Sequence, residues 1–414
     1  MGRLRDNPNF KWFFTANLVS HIGTGLTMIG VPWFLVNQDG GEQLLGVITL
    51  ITTILGFFIS PYAGVLIDRF HRVSLHRGYD LAGFFLLTGL GIAGWYIEEY
   101  SSLLLMVIFL VSILYNMFHY PTIFAISQEI FSKKNFGKIN SVMEVQGQAG
   151  TMLAGAVGTI LITAFGLKTI LILDGITFLI AFILFGFINY QPTVKRDKNV
   201  EQPTMVADFI EGWQFLKEKP KMLVFFLSAS MPFIAVMGLN YVLPIYIANS
   251  LKAEASVYAS FEMVFAGGAV LAGFTVNMLV KKLTPVLSIY MTITLFALAV
   301  LSVSQIPSVG LFLFMAVLMG WGNAGTRINM KTLQMNLIPT TLMGRVQSFI
   351  RATGVGIRVL LIAGFTLFIP TIGASMALLI LSGILIFALL GVYMSKDIYE
   401  STEESHVKKA ELHV

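Results

Sequence analysis

Residues 64–72 read GVLIDRFHR and residues 273–281 read GFTVNMLVK. Each stretch closes an apolar run long enough to cross a bilayer. In each, a glycine (Gly64, Gly273) is followed four residues later by a polar side chain (Asp68, Asn277) and then by basic ones (Arg69 and Arg72; Lys281). The two glycines lie 209 positions apart. A second pair of landmarks, Gly137-Lys138-x-x-Ser141 and Gly344-Arg345-x-x-Ser348, lies 207 apart. Two landmarks sharing one offset to within two residues imply a duplication, with parallel halves and a site at their interface near the bilayer midplane.

Composition points to a membrane. The 414 residues are 56% hydrophobic and 12% charged, with a mean hydropathy of +0.79, whereas soluble domains carry about 25% charged residues. Only helices and closed barrels satisfy their backbone in hydrocarbon, and continuous apolar runs favour helices over alternating barrel strands. Such runs lie near 12–36, 44–67, 78–97, 102–127, 139–165, 168–190, 223–247, 256–280, 285–305, 308–330, 346–369 and 373–394. The expected fold is an all-α membrane protein with twelve transmembrane helices in two pseudo-symmetric six-helix bundles. Its parts would be an N-terminal bundle (1–190), a cytoplasmic linker with an amphipathic helix (191–222), a C-terminal bundle (223–394) and a cytoplasmic tail (395–414).

Of the 27 Lys and Arg, 21 fall in the termini and the loops on their side, and two (Lys168, Lys252) on the other. The bias places both termini in the cytoplasm of a bacterial-type inner membrane. It explains the net charge of +5 without nucleic acid. Residues 1–11 are short and charged, so no cleaved signal peptide is expected. The absence of Cys excludes disulfides and thiolate sites. No spaced metal-ligand cluster, catalytic triad or phosphate loop is visible, so neither a cofactor nor an enzyme is expected. In the linker, Phe209, Trp213 and Leu216 share one helical face beside Lys217, Lys219 and Lys221, which suits the inner leaflet.

The 64–72 stretch resembles the loop signature of the major facilitator superfamily. His71 stands where that family usually has Gly, and Val73 where it has a second basic residue. Phe118-His-Tyr-Pro121, Asp174-Gly-Ile-Thr177-Phe178, Glu211-Gly212-Trp-Gln-Phe215-Leu216 and Pro339-Thr-Thr-Leu-Met-Gly344-Arg345-Val346 resemble its macrolide-efflux and enterobactin-exporter branch. Gly150-x-x-x-Ala154-Gly155-Ala156-Val157-Gly158 resembles the antiporter motif of exporters, with Gly155 in the usual place of Pro. The resemblance implies a monomeric secondary transporter working by alternating access: proton in, small amphipathic drug, macrolide or siderophore-like compound out. It also implies an inner gate. Gly64 would permit close packing, and Asp68 would accept from amides at the start of span 11. Arg69 and Arg72 would pair with Glu129, with Gly273, Asn277, Lys281, Gly344 and Arg345 as second-half counterparts.

Ionisable groups inside spans are functional suspects. Glu262 in span 8 is the first proton-carrier candidate. Glu144, His21 and His119 follow, and Asp174 carries the family pattern with a structural alternative. Arg358, mid-span in span 11, needs a cavity, an anionic substrate or an acid such as Glu262 or Asp174. By the resemblance, spans 1, 4, 7 and 10 line the cavity. They offer Asn17, Asn116, Met237, Asn240, Tyr241, Trp321 and Asn323, with Arg358 beside them: aromatics and Met among few amides, suited to a large apolar ligand. The competing readings are a lipid or lysolipid flippase on the same fold and a membrane sensor without transport.

Overall fold

A computed structural model of the chain describes residues 7–97, 99–132, 136–190, 205–339 and 342–398. No strand occurs among them. The helices are α1 (Pro8–Val36), α2 (Gly41–Arg69), α3 (Arg72–Ala93), α4 (Ser102–Ile130), α5 (Phe136–Gly186), α6 (Met205–Lys217), α7 (Pro220–Ile245), α8 (Ala255–Lys282), α9 (Pro285–Gln305), α10 (Val309–Leu337) and α11 (Met343–Met394). Among the described residues, nine helices are long and apolar enough to cross a membrane. Two of these far exceed the ~20 residues a bilayer needs: α5 has 51 and α11 has 52. Each breaks once, at Gly166 (φ 69°, ψ −173°) and at Gly373 (φ 79°, ψ 161°). These backbone conformations are essentially restricted to glycine.

The breaks lie 207 residues apart, the offset that links Gly137 to Gly344. The caps repeat as well. Ser101 accepts from the amide of Leu104 at the head of α4, and Ser308 from that of Leu311 at the head of α10, again 207 apart. A serine oxygen there satisfies an amide that the helix itself leaves orphaned. Duplicated local chemistry thus places the same turn at the same step of each half.

By its internal contacts the chain divides into two compact units, one of residues 1–200, 243–267 and 365–370, the other of 201–242, 268–364 and 371–414. In the first, Asn7 caps α1 and its Nδ2 donates to the Ile130 carbonyl, 3.1 Å away at the end of α4. Asn9 and Asn189 exchange two hydrogen bonds at 2.8 and 2.9 Å. Phe13, Val73, Ile126, Phe131 and Phe185 fill the core beneath. In the second, α6 packs Phe209 and Trp213 on Phe349 of α11, and Leu216 joins the core with Phe225, Ile289 and Val346. The linker helix was expected to turn this apolar face to the inner leaflet. It turns it onto α11, because Gly212 lets the helix approach the Arg345 carbonyl, where a Cβ would collide. Many large apolar side chains stay exposed on the helices, among them Phe85, Phe274, Leu360 and Phe387. Hydrocarbon, not water, is the solvent such surfaces suit.

Candidate functional site

The small face of α5 makes close helix contacts. A Cβ at Gly150 would lie 2.5 Å from His21 Cδ2, and one at Gly25 would lie 2.6 Å from Ala154 Cβ. A Cβ at Gly155 would lie 2.5 Å from the Ala259 carbonyl oxygen and 2.6 Å from the Met263 amide. Small residues thus bring α5 close to α1 and into contact with the backbone of the first turns of α8, the packing that membrane helices favour. His21, held at this crossing, lies 3.4 Å from both Thr151 Oγ1 and Tyr120 Oη.

Of the gate residues, Arg72 pairs with Glu129 at 3.0 Å and also donates to the Ala125 carbonyl at 3.2 Å. Glu129 accepts a further bond from the Tyr190 hydroxyl. Arg69, expected to share this carboxylate, is exposed instead. It precedes Arg72 by three residues and ends α2, while Arg72 opens α3. The side chains of Asp68, Asn277 and Lys281 lie outside the described residues, as does any contact of Gly64. A Cβ at Gly273 or Gly344 would meet nothing within 4 Å. Arg345 pairs with Glu211 of α6 at 2.5 Å and faces Asp208 at 3.8 Å.

Among the proton-carrier candidates, Asp174 is fully buried and held by two hydroxyls, Thr27 at 2.5 Å and Thr177 at 3.4 Å. Glu262 is half-buried and makes no hydrogen bond or ion pair among the described residues, and Glu144 is exposed. Arg358 is half-buried, and its Nε has no hydrogen-bond partner among the described residues. The cavity candidates are dispersed. Asn116 bonds back to Ser112 of its own helix at 3.1 Å. Trp321 Nε1 donates to Thr275 at 2.8 Å. Tyr241 is buried, Met237 half-buried and Asn240 exposed. Asn323 is buried with its Oδ1 unpartnered. An apolar groove of about 530 Å³ runs between α7 and the far part of α11, lined by Leu227, Met231, Ile380 and Phe387, and none of the sequence candidates lines it.

His119 and Asn17 do come together, with partners the sequence reading left out. His119 Nε2 lies 3.0 Å from Asn17 Oδ1, and its Nδ1 lies 3.1 Å from His76 Nε2. His76 Nδ1 lies 3.0 Å from Asp80 Oδ2. Tyr115 donates to Asp80 Oδ1 at 2.8 Å and also lies near Ser20 and His119. His76 and Asp80 are completely buried, and His119 nearly so.

Long apolar helices repeated at one offset, with ionisable groups buried inside the first unit, define a multi-pass membrane transporter. A family model of the Major Facilitator Superfamily matches residues 13–361, and the chain belongs to that superfamily. It is 22% identical to Macrolide efflux protein A of Streptococcus pyogenes over 305 residues, 74% of this chain and 75% of that one. It is 24% identical over 405 residues to the uncharacterized MFS-type transporter YfiS of Bacillus subtilis, covering 96% and 95%. Among solved structures, the nucleoside transporter NupG superposes with a TM-score of 0.73 at 12% identity, covering 94% of this chain and all of that one. A bacterial homologue of the iron transporter ferroportin in its inward-facing state gives 0.72 at 16%, covering 95% and 99%. These likenesses show the fold.

Proposed function

We propose that this transporter exports small amphipathic compounds of the macrolide or drug type in exchange for protons, by alternating access. The likeness to Macrolide efflux protein A over three quarters of both chains carries the reading. The glycine-rich face of α5 supports it, because the exporter-like motif is built into close packing with α1 and α8. Proton coupling is supported by carboxylates and imidazoles set inside spans, where an idle charge is costly. With α5 and α11 each taken as two spans and α3 as a further one, the chain crosses twelve times. Both termini then lie in the cytoplasm of a bacterial-type inner membrane, and the protein works as a monomer.

The test is resistance and accumulation in a host stripped of its own exporters. Expression should lower cellular ethidium and erythromycin, and an uncoupler should restore both. Accumulation that is unchanged by expression contradicts export. Lowered accumulation that ignores the uncoupler contradicts proton coupling and favours the lipid-flippase alternative.

A further inference from the structure

We propose that the buried cluster of His76, Asp80, Tyr115 and His119 is the site that holds this protein's coupling proton, with Asn17 on α1 sensing whether the proton is there. The role in transport rests on the proton-coupled export reading; the proton count below does not.

The count follows from donors and acceptors. As the structure places Asn17, its Oδ1 accepts, so His119 Nε2 must donate. A neutral His119 then has a bare Nδ1, which accepts from His76 Nε2–H across 3.1 Å. The remaining contact, His76 Nδ1 to Asp80 Oδ2, needs one proton between the two atoms. It sits either on Asp80 or on His76. In both placements the cluster is neutral overall, which suits a completely buried pair.

Removing that proton leaves Asp80 ionised and His76 neutral. An ionised carboxylate only accepts, so His76 must keep Nδ1–H for it and turn a bare Nε2 to His119. His119 must then donate from Nδ1 and bare its Nε2 toward Asn17. A bare nitrogen facing a carbonyl oxygen repels, and the Asn17 amide must rotate to present Nδ2–H. The two states therefore differ by one proton released to solvent and by the orientation of one amide on α1. The titration on α3 is chained to a side chain two helices away in sequence order, on α1. That is what a coupling site requires: the proton must change something besides its own position.

The duplication offers a control within the molecule. His119 plus the 207-residue offset is Thr326. In the second half, Thr326 of α10 bonds to Thr292 of α9 at 2.8 Å, and Asn329 bonds to Ser288 at 2.7 Å. The α9–α10 contact is thus held by neutral hydroxyls and an amide. The equivalent α3–α4 contact places a carboxylate and two imidazoles where the architecture needs only neutral polar groups.

Most charged neighbours of the cluster have partners of their own. Of the charged neighbours, Arg72 is held by Glu129. Arg77 is held by the Phe182 carbonyl and ring. On α5, Asp174 is held by Thr27, while Phe185 and Phe178 pack on the His76 and Tyr115 rings. On α1, His21 stands nearby. Tyr79 lies on α3 one residue before Asp80, with its ring on Phe118. An approach exists at Tyr120, whose ring lies 5.5 Å from that of His119 and which is half exposed. The two imidazoles point nitrogen to nitrogen and share no common point for a cation. Among the described residues no cluster able to hold a metal is found.

Vesicles carrying wild type, Asp80→Asn, His76→Gln or Tyr115→Phe should be compared for uncoupler-sensitive ethidium uptake and for ethidium counterflow. Counterflow between equal concentrations needs no net proton movement. In Asp80→Asn and His76→Gln, uptake should fall to the uncoupled background while counterflow stays measurable. In Tyr115→Phe, which deletes one hydroxyl and no ring, the pH midpoint of uptake should move by roughly half a unit or more, the size of one hydrogen bond to an ionisable group. Wild-type uptake with an unmoved midpoint overturns the proposal. Where the larger replacements fail to reach the membrane, Tyr115→Phe decides alone. A dye-reported pH step on the purified proteins separates the two readings. Wild type should release one proton more than Asp80→Asn over some part of the range between about pH 5 and 9, and Tyr115→Phe should release that proton at a pH shifted by about half a unit. Equal release throughout overturns the site. Extra release without uncoupler-sensitive uptake keeps the proton site and overturns the export reading instead.

Discussion

Replacing Gly155 by alanine should drive α5 and α8 apart. The new Cβ would stand 2.5 Å from the Ala259 carbonyl oxygen and 2.6 Å from the Met263 amide nitrogen. Both are backbone atoms held in the first turns of a helix, so no side chain can swing aside. Restoring ordinary contact requires a separation of roughly 0.9 Å at the crossing, and overpacking of this kind costs about 1–3 kcal/mol. The matched control is Gly267→Ala on α8, where a Cβ meets nothing within 4 Å. Both substitutions gain the same helix propensity, about 1 kcal/mol, so the difference between them isolates the packing. Thermal denaturation in detergent, followed by fluorescence-detected size exclusion, should place Gly155→Ala several degrees below Gly267→Ala. Ethidium uptake should fall in the first and persist in the second. Equal melting of the two variants would refute the claim that Gly155 is fixed by contact with α8.

Other consequences follow from the same packing. Glu129→Gln leaves Arg72 facing a neutral partner at a site with side chains 14% and 8% exposed, and should cost about 2 kcal/mol, read as a lower melting temperature. Arg345→Ala removes the pair with Glu211, which is 37% and 43% exposed and so worth about 0.2–1 kcal/mol. The melting temperature should barely move, while trypsin cuts faster at Lys217 as α6 undocks. Gly166→Ala and Gly373→Ala should each cost about 1–3 kcal/mol, because both force alanine into a glycine-only conformation. A large cost at one and none at the other would contradict the equivalence of the two breaks.

Much of the fold was legible because hydrophobicity and duplication are one-dimensional signals. The expected boundary between the fifth and sixth apolar runs, 165 to 168, brackets Gly166, and the twelfth run begins at Gly373, where α11 breaks. The Arg345 loop and the exporter-like glycine face were visible as motifs, and both proved to be packing contacts. The linker helix was visible too, but periodicity gives a face without naming what covers it. Phe349 covers it, and only the fold brings Phe349 there.

The proton cluster was missed for a physical reason. The third apolar run was read from residue 78, because Arg72, His76 and Arg77 lower the local hydropathy. The helix starts at Arg72, which puts His76 inside it and Asp80 on the same face. The signal available was a pair of matched i,i+4 spacings, His76–Asp80 on α3 and Tyr115–His119 on α4, each placing two polar groups on one face of its helix. His119 was noticed singly, and nothing in one dimension shows that these two faces meet.

Proton-driven export is tested most directly with the purified protein alone. Proteoliposomes loaded with acidic buffer and diluted into alkaline medium impose an outward proton gradient on a single component. Radiolabelled erythromycin or ethidium should then accumulate inside while the gradient lasts, and should leak out once an ionophore collapses it. Movement of either compound that proceeds identically with and without the gradient would contradict proton coupling, and no movement of either compound would contradict export of this substrate class.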